Sequence, residues 1–417
     1  MSMIRISGGK RLCGTAHVHG AKNGVLPIMA ASIISGGETV IHNCPHLSDV
    51  DAAMKILHHL GCTAEMDGDT VYIDSKNITG YDIPDGLMRE MRSSVIFLGA
   101  ILARTGKAVL SMPGGCELGP RPIDLHLQAL RSMGAKIDEQ GGNLICTADG
   151  LTGCRIDLAI PSVGATENSM IAAAGCRGIT VITNAAKEPE IRDLGEFLKT
   201  VGVHVSGAGS SVISVENGRY RPFAEYSVIP DRIVAATYLA CAASSGGKID
   251  VTGIIPEDMA AVTDVLAEMG CGLRTGKDFV SIDAGNGLRA PRPIVTKPYP
   301  GFPTDAQPPI LAASLKSEGT AVFVETIFEN RYRHIPELIR MGANIRTDGR
   351  VAMVSGVKTL RGASVKAHDL RGGAALAVAA LAAEGTTEIS DVRHIDRGYD
   401  GLTETLRSLG ADAFRID

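Results

Sequence analysis

Residues 57–62 read LHHLGC, and the pattern returns five times, as LRSMGA (130–135), LKTVGV (198–203), LAEMGC (266–271), LIRMGA (338–343) and LRSLGA (406–411). The shared glycines Gly61, Gly134, Gly202, Gly270, Gly342 and Gly410 lie 73, 68, 68, 72 and 68 residues apart. A fixed period of this kind marks a duplicated supersecondary unit. Each stretch ends an amphipathic segment with a glycine, which suits a left-handed helix cap.

Reading outward from those glycines gives one grammar for every copy. A β-rich run opens it: TVIHN (39–43), AVLSM (108–112), ITVIT (179–183), KIDVT (248–252), AVFVE (321–325) and TEISD (387–391). A polar loop and the glycine-capped helix follow. Then comes a hairpin, as in AKIDEQGGNLICTA or ANIRTDGRVAMVS. Last comes an Ala-rich segment such as DRIVAATYLACAA or LRGGAALAVAALAA. A helix apolar on all sides belongs inside a large protein. The fold class expected is therefore α/β, built from six repeated units.

The sixth copy stops half-way through its hairpin, at ADAFRID. The N-terminal MIRISGG can supply the missing strand, so the two chain ends share a domain. Three copies per domain then give one discontinuous domain, 1–21 plus 230–417, and one continuous domain, 22–229. Two crossings of the chain would make a hinged cleft.

Composition narrows the function classes. Aromatic residues are only 4% and Trp is absent, so Ala, Val, Ile, Leu and Met must fill the core. A net charge of −5 excludes a general attraction to nucleic acid or anionic membranes. Nine cysteines without CxxC spacing, and no apolar leader, point to the reducing cytoplasm. The apolar runs fall short of the ~20 residues that span a bilayer. His42, Cys44 and His46 form a metal-like cluster, read here as structural.

The Ala-rich segments are polar only at their starts: Lys22-Asn23, Arg92, Thr166, Asp231-Arg232, Thr304-Asp305 and Asp369 to Arg371. Helix N-termini pointing at one cleft make an anion site, and added cations strengthen it. Thr304, Asp305 and Asp231 can equally be N-caps. The cations are not explained by capping, because the helix dipole disfavours them there. A second constellation is the loop SMPGGCELGPRPIDLH (111–126), where Cys116 lies among polar neighbours near Arg121, a setting that favours a reactive thiolate. The equivalent loops carry Lys187, Glu188, Glu190 and Arg192; Glu329, Arg331 and Arg333; and His394, Asp396 and Arg397.

Several of these runs together resemble the enolpyruvyl transferase family, in particular those members that act on UDP-N-acetylglucosamine. They are GAKN (20–23), the Cys116 loop with RPIDLH (121–126), SVGAT (162–166), EPEI (188–191), FPTD (302–305), ENR (329–331), DLR (369–371) and HIDRGY (394–399). They run in order along the whole chain. The resemblance implies a two-domain inverse α/β barrel, or prism, with helices inside and sheets outside. It implies phosphoenolpyruvate and UDP-N-acetylglucosamine as substrates, with no cofactor, no metal and no obligate protein partner. Lys22, Asn23, Arg121, Arg331, Arg371 and Arg397 would hold phosphoenolpyruvate. Asn23, Arg92, Arg121, Pro122, Ile123, Asp124, Leu125, Ser162, Val163, Gly164, Asp305 and Ile327 would hold the nucleotide sugar.

The catalytic set so implied is Cys116, Asp305, Lys22 and Arg397. Asp305 would take the proton of the sugar 3-hydroxyl, and Cys116 would donate one on the other side. The chain departs from the family at Ile160-Pro161, where some members carry a lysine, and in having no Trp near position 95.

Overall fold

A computed structural model describes residues 2–91, 93–111 and 123–416. The chain forms two compact units. One runs to His19 and resumes at Pro230; the other begins at Gly20 and ends at Ile229. Among the described residues each unit contains three four-stranded sheets, and a two-stranded sheet pairs Leu360–Arg361 with Ala383–Glu384.

The glycines that define the repeat act as the sequence requires. Their φ values are 95°, 99°, 99°, 99°, 92° and 91° from Gly61 to Gly410. Side chains with a Cβ rarely adopt that region. They close the helices Ser48–His59, Asp124–Ser132, Pro189–Thr200, Ala260–Glu268, Ile335–Arg340 and Leu402–Ser408.

The Ala-rich segments form the interior. In the unit that begins at Gly20, helices Lys22–Ala31, Phe97–Thr105 and Val163–Ala174 pack against one another. In the other unit, helices Arg232–Ser245, Gln307–Ala313 and Leu370–Ala382 do the same. Every residue from Arg371 to Ala382 is buried. The small side chains let these helices approach closely. Gly99 shows how close: an added Cβ would lie 2.3 Å from Asn168 Oδ1 and 2.6 Å from its carbonyl oxygen.

Four of these helices bridge parallel strands of one sheet, as a βαβ crossover does. Asp82–Ile83 leads through Phe97–Thr105 to Lys107–Ser111, and Arg155–Asp157 through Val163–Ala174 to Ile179–Thr183. Ile294–Val295 leads to Thr320–Val324, and Ser364–Lys366 to Thr386–Ser390. The other two lead strands are exchanged. Cys13–His17 precedes the helix at Lys22 but pairs with Lys248–Thr252. Phe223–Ser227 precedes the helix at Arg232 but pairs with Glu38–His42. Met3–Ser7 completes the last sheet, antiparallel to both Asp412–Ile416 and Thr386–Ser390.

Three helix starts differ from the sequence reading. The second core helix begins at Phe97, after the 3-10 turn Ser94–Ile96, rather than at position 92. The third core helix begins at Val163 rather than Thr166, because Ser162 caps it by accepting from the Ala165 amide at 3.4 Å. The fifth begins at Gln307, after a turn that contains Thr304 and Asp305. No helix among the described residues is long and apolar enough to cross a membrane.

Candidate active site

In the unit that resumes at Pro230, Asp305 lies between two buried arginines. Arg331 Nη2 donates to Asp305 Oδ1 at 2.9 Å, and Arg371 Nε donates to Oδ2 at 3.2 Å. Both arginine side chains are 2% exposed, and that of Asp305 is 27% exposed. Burying a guanidinium is costly unless it is paired. Arg331 also donates to the Thr304 carbonyl at 2.9 Å. Arg371 stacks over Tyr399 at 5.4 Å, whose hydroxyl meets Thr237 Oγ1 at 2.9 Å. Burial opposes the charge on Arg371, yet Tyr399, Asp305 and Asp231 together hold its pKa above the ordinary value. Arg331 Nε and Arg371 Nη1 are buried without a hydrogen-bond partner among the described residues. They retain donors for an incoming anion.

The loop that carries Arg331 is set by Glu325, a residue the sequence reading passed over. Its buried carboxylate accepts from Thr296 Oγ1 at 3.0 Å, Thr304 Oγ1 at 2.8 Å, and the amides of Ile327 at 2.7 Å and Phe328 at 3.0 Å. One side chain thus ties the Thr304-Asp305 turn to the Ile327 loop. Ile327 itself is 41% exposed. Asp231 and Asp369 are true N-caps: Asp231 Oδ1 accepts from Ile233 and Val234, and Asp369 Oδ1 from Arg371 and Gly372. Thr304 spends its hydroxyl on Glu325 instead. Arg397 is half-buried and lies two residues before Tyr399.

The unit that begins at Gly20 holds a second polar group. Lys22, first residue of its core helix, is buried and pairs with Asp49 at 2.7 Å. Asp49 offsets both the burial of the cation and its poor place at a helix N-terminus. Asn23 beside it is exposed. Glu190 and Glu167 are buried. Burial, then the neighbouring Glu190 and Glu188, push the Glu167 carboxyl well above the carboxylate range. Asp193 is raised to about 7 by burial, although Tyr226 donates to it at 2.6 Å.

Near the start of Val163–Ala174, Asn168 acts as a clamp. Its Oδ1 accepts from the Gly99 amide at 2.7 Å, and its Nδ2 donates to the Val95 carbonyl at 3.2 Å and to His126 Nδ1 at 3.0 Å. That assignment puts the His126 proton on Nε2. Gly164 packs tightly on this ring, since a Cβ there would sit 3.2 Å from His126 Cε1. Ser162, Val163 and Gly164 are half-exposed, Ile123 is buried, Asp124 exposed and Leu125 half-buried. Arg92, Cys116, Arg121 and Pro122 lie outside the described residues.

The remaining cysteines divide by environment. Burial pushes Cys44 and Cys241 up to about 12, and Cys62, Cys146, Cys176 and Cys271 up to about 11. His42 hydrogen-bonds Thr70 and Glu225. Among the described residues no three His, Cys, Asp or Glu side chains gather as a metal site.

The sequence pattern of the EPSP synthase (3-phosphoshikimate 1-carboxyvinyltransferase) family matches residues 6–406. The chain is 49% identical over 416 residues to UDP-N-acetylglucosamine 1-carboxyvinyltransferase 2 of Caldanaerobacter subterraneus subsp. tengcongensis, covering 100% of both chains. It is 48% identical to UDP-N-acetylglucosamine 1-carboxyvinyltransferase 1 of Symbiobacterium thermophilum, covering 99% of this chain and 94% of that one. Among solved structures, the enolpyruvyl transferase NikO from Streptomyces tendae superposes with a TM-score of 0.90 at 26% identity, covering 100% and 99%. EPSP synthase from Acinetobacter baumannii shares the fold, with a TM-score of 0.74 at 20% identity and full coverage of both chains. With its repeat, its paired arginines and its full-length relatives in agreement, the chain belongs to the EPSP synthase family of enolpyruvyl transferases.

Proposed function

We propose that this chain transfers the enolpyruvyl group of phosphoenolpyruvate to the 3-hydroxyl of UDP-N-acetylglucosamine, releasing phosphate, as the first committed step of peptidoglycan synthesis. The observation that carries this reading is the full-length identity of 49% to a protein named for that reaction. The same reading takes the two compact units as the domains of an inverse α/β barrel, three repeats in each, and places the enzyme in the cytoplasm.

The chemistry is addition followed by elimination. The sugar oxygen bonds to C2 of phosphoenolpyruvate while C3 gains a proton. The C2–O bond to phosphate then breaks and C3 loses a proton. Asp305 accepts the hydroxyl proton. In the structure both its oxygens are held by guanidinium groups, which stabilise the anion and weaken it as a base. An incoming phosphate or carboxylate competes for Arg331 and Arg371 and so releases Asp305 toward the hydroxyl. Substrate binding and base activation are thereby coupled.

Lys22, Asn23, Arg121, Arg331, Arg371 and Arg397 neutralise the charge of phosphoenolpyruvate. Asn23, Arg92, Asp305, Ile327, the segment from Arg121 to Leu125 and that from Ser162 to Gly164 take the nucleotide sugar. Cys116 is the proton donor and the thiol open to alkylation. Phosphate release measured with phosphoenolpyruvate and either UDP-N-acetylglucosamine or shikimate 3-phosphate tests the reading. Release with the nucleotide sugar supports it; release with shikimate 3-phosphate alone assigns the chain to the sister activity.

A further inference from the structure

His334 is the most completely buried histidine near the arginine pair, with 0% exposure. It sits at the N-cap of helix Ile335–Arg340, three residues after Arg331. Its ring faces the backbone of Arg331, yet neither ring nitrogen makes a well-formed hydrogen bond among the described residues. Its neighbour across the chain is Asp369. A Cβ on Gly372 would lie 2.7 Å from Asp369 Oδ2 and 2.9 Å from the His334 Cβ, so the two residues close on the same point.

Asp369 is an unusual neighbour. It is 5% exposed and commits Oδ1 to the amides of Arg371 and Gly372. Its Oδ2 has no partner among the described residues. A buried carboxylate oxygen without a partner attracts any nearby guanidinium strongly. Two guanidinium groups are near: Arg371 is two residues along, and Arg331 is close enough to act on the His334 ring. Both arginines pair with Asp305 instead. Of the side chains around Asp369, His334 is the one that meets it at Gly372 and also feels Arg331. Its charge state fits that place. Burial, and the adjacent Arg331, hold the imidazole down to about 4 against the pull of Asp369, so the ring adds no third positive charge.

We propose that His334 is a positioning residue: its ring shields the open oxygen of Asp369, and so leaves Arg331 and Arg371 directed at Asp305 and at the anionic groups of the substrate. The inference rests on the proposed reaction. It adds a residue that touches neither substrate nor reacting atoms and acts only through the two arginines.

The test is steady-state turnover of full-length His334→Ala, His334→Asn and His334→Gln with phosphoenolpyruvate and UDP-N-acetylglucosamine. Ala and Asn are too short to shield Asp369. They are expected to raise KM for phosphoenolpyruvate about tenfold, the cost of misdirecting one charge-assisted hydrogen bond. KM for the nucleotide sugar stays within about twofold, and the longer Gln side chain recovers most of the loss. A residue that only supports the fold would lower the active fraction and leave both KM values in place. An unmoved KM for phosphoenolpyruvate in His334→Ala, or in His334→Asn should the Ala variant not fold, overturns the inference; so does an equal rise in both KM values. Absence of wild-type turnover is a separate outcome that removes the reaction itself, and the inference falls with it.

Discussion

Lys22 and Asp49 form an ion pair with Nζ and Oδ2 2.7 Å apart, the side chains only 9% and 1% exposed. Each charge offsets part of the burial cost of the other. Lys22→Met should therefore destabilise the protein, by up to about 3–5 kcal/mol, the usual cost of breaking a buried ion pair. Lys22→Met combined with Asp49→Leu should recover most of that stability without recovering turnover. Urea denaturation of the single and double variants checks the coupling. Equal losses in all of them would remove it.

Asp305 links the two buried arginines, and its removal should register in both activity and stability. Asp305→Ala is expected to lower kcat/KM by at least about 100-fold, the scale of a lost general base. The midpoint of denaturation should fall as well, because Arg331 and Arg371 lose their shared anion. Asp305→Asn keeps the volume and should recover some stability but little turnover. Full activity in either variant would rule Asp305 out as the base.

Asp193 gives a pH signature. Its carboxyl is raised from 3.8 to about 7 by burial, against the opposing hydrogen bond from Tyr226. A folded pKa above the unfolded one means that the folded state holds a proton the unfolded state has lost. The associated stability is complete below about pH 3.8 and is lost as pH rises toward about 7. Asp193→Asn should lack this term. The stability of the wild type relative to the variant should then fall between pH 4 and pH 7 by roughly 4 kcal/mol and level off above that. A pH-independent difference would contradict the assignment.

Cysteine chemistry should be selective. Fosfomycin, an epoxide, is expected to modify Cys116 and to leave Cys44, Cys62, Cys146, Cys176, Cys241 and Cys271 untouched, since their burial keeps them as thiols. Peptide mapping after treatment reads this directly. An adduct at any of the six, or none at Cys116, counts against the loop assignment.

The glycine period and the opening strands were legible because both are local. A left-handed cap needs Gly, and a half-buried strand needs alternation, as the burial of Glu38–His42 illustrates. The Ala-rich helices were legible for the same reason. The exchange of Cys13–His17 and Phe223–Ser227 was not, because partner choice between similar strands is set by tertiary packing. The start at Val163 was missed because the small residues Ser162 to Gly164 resemble a loop until the Ser162 cap is seen. Asp49 and Glu325 were overlooked for a different reason. Asp49 sits where any helix favours an acid, and Glu325 directly follows a strand, where a polar residue is ordinary. Their roles exist only in the partners they find in space.

Mass spectrometry of the nucleotide sugar after incubation with phosphoenolpyruvate tests the central claim most directly. The account predicts that UDP-N-acetylglucosamine gains one carboxyvinyl group for each phosphate released, and that Asp305→Ala abolishes the gain. Phosphate released with the sugar unchanged in mass and pyruvate left behind would contradict it.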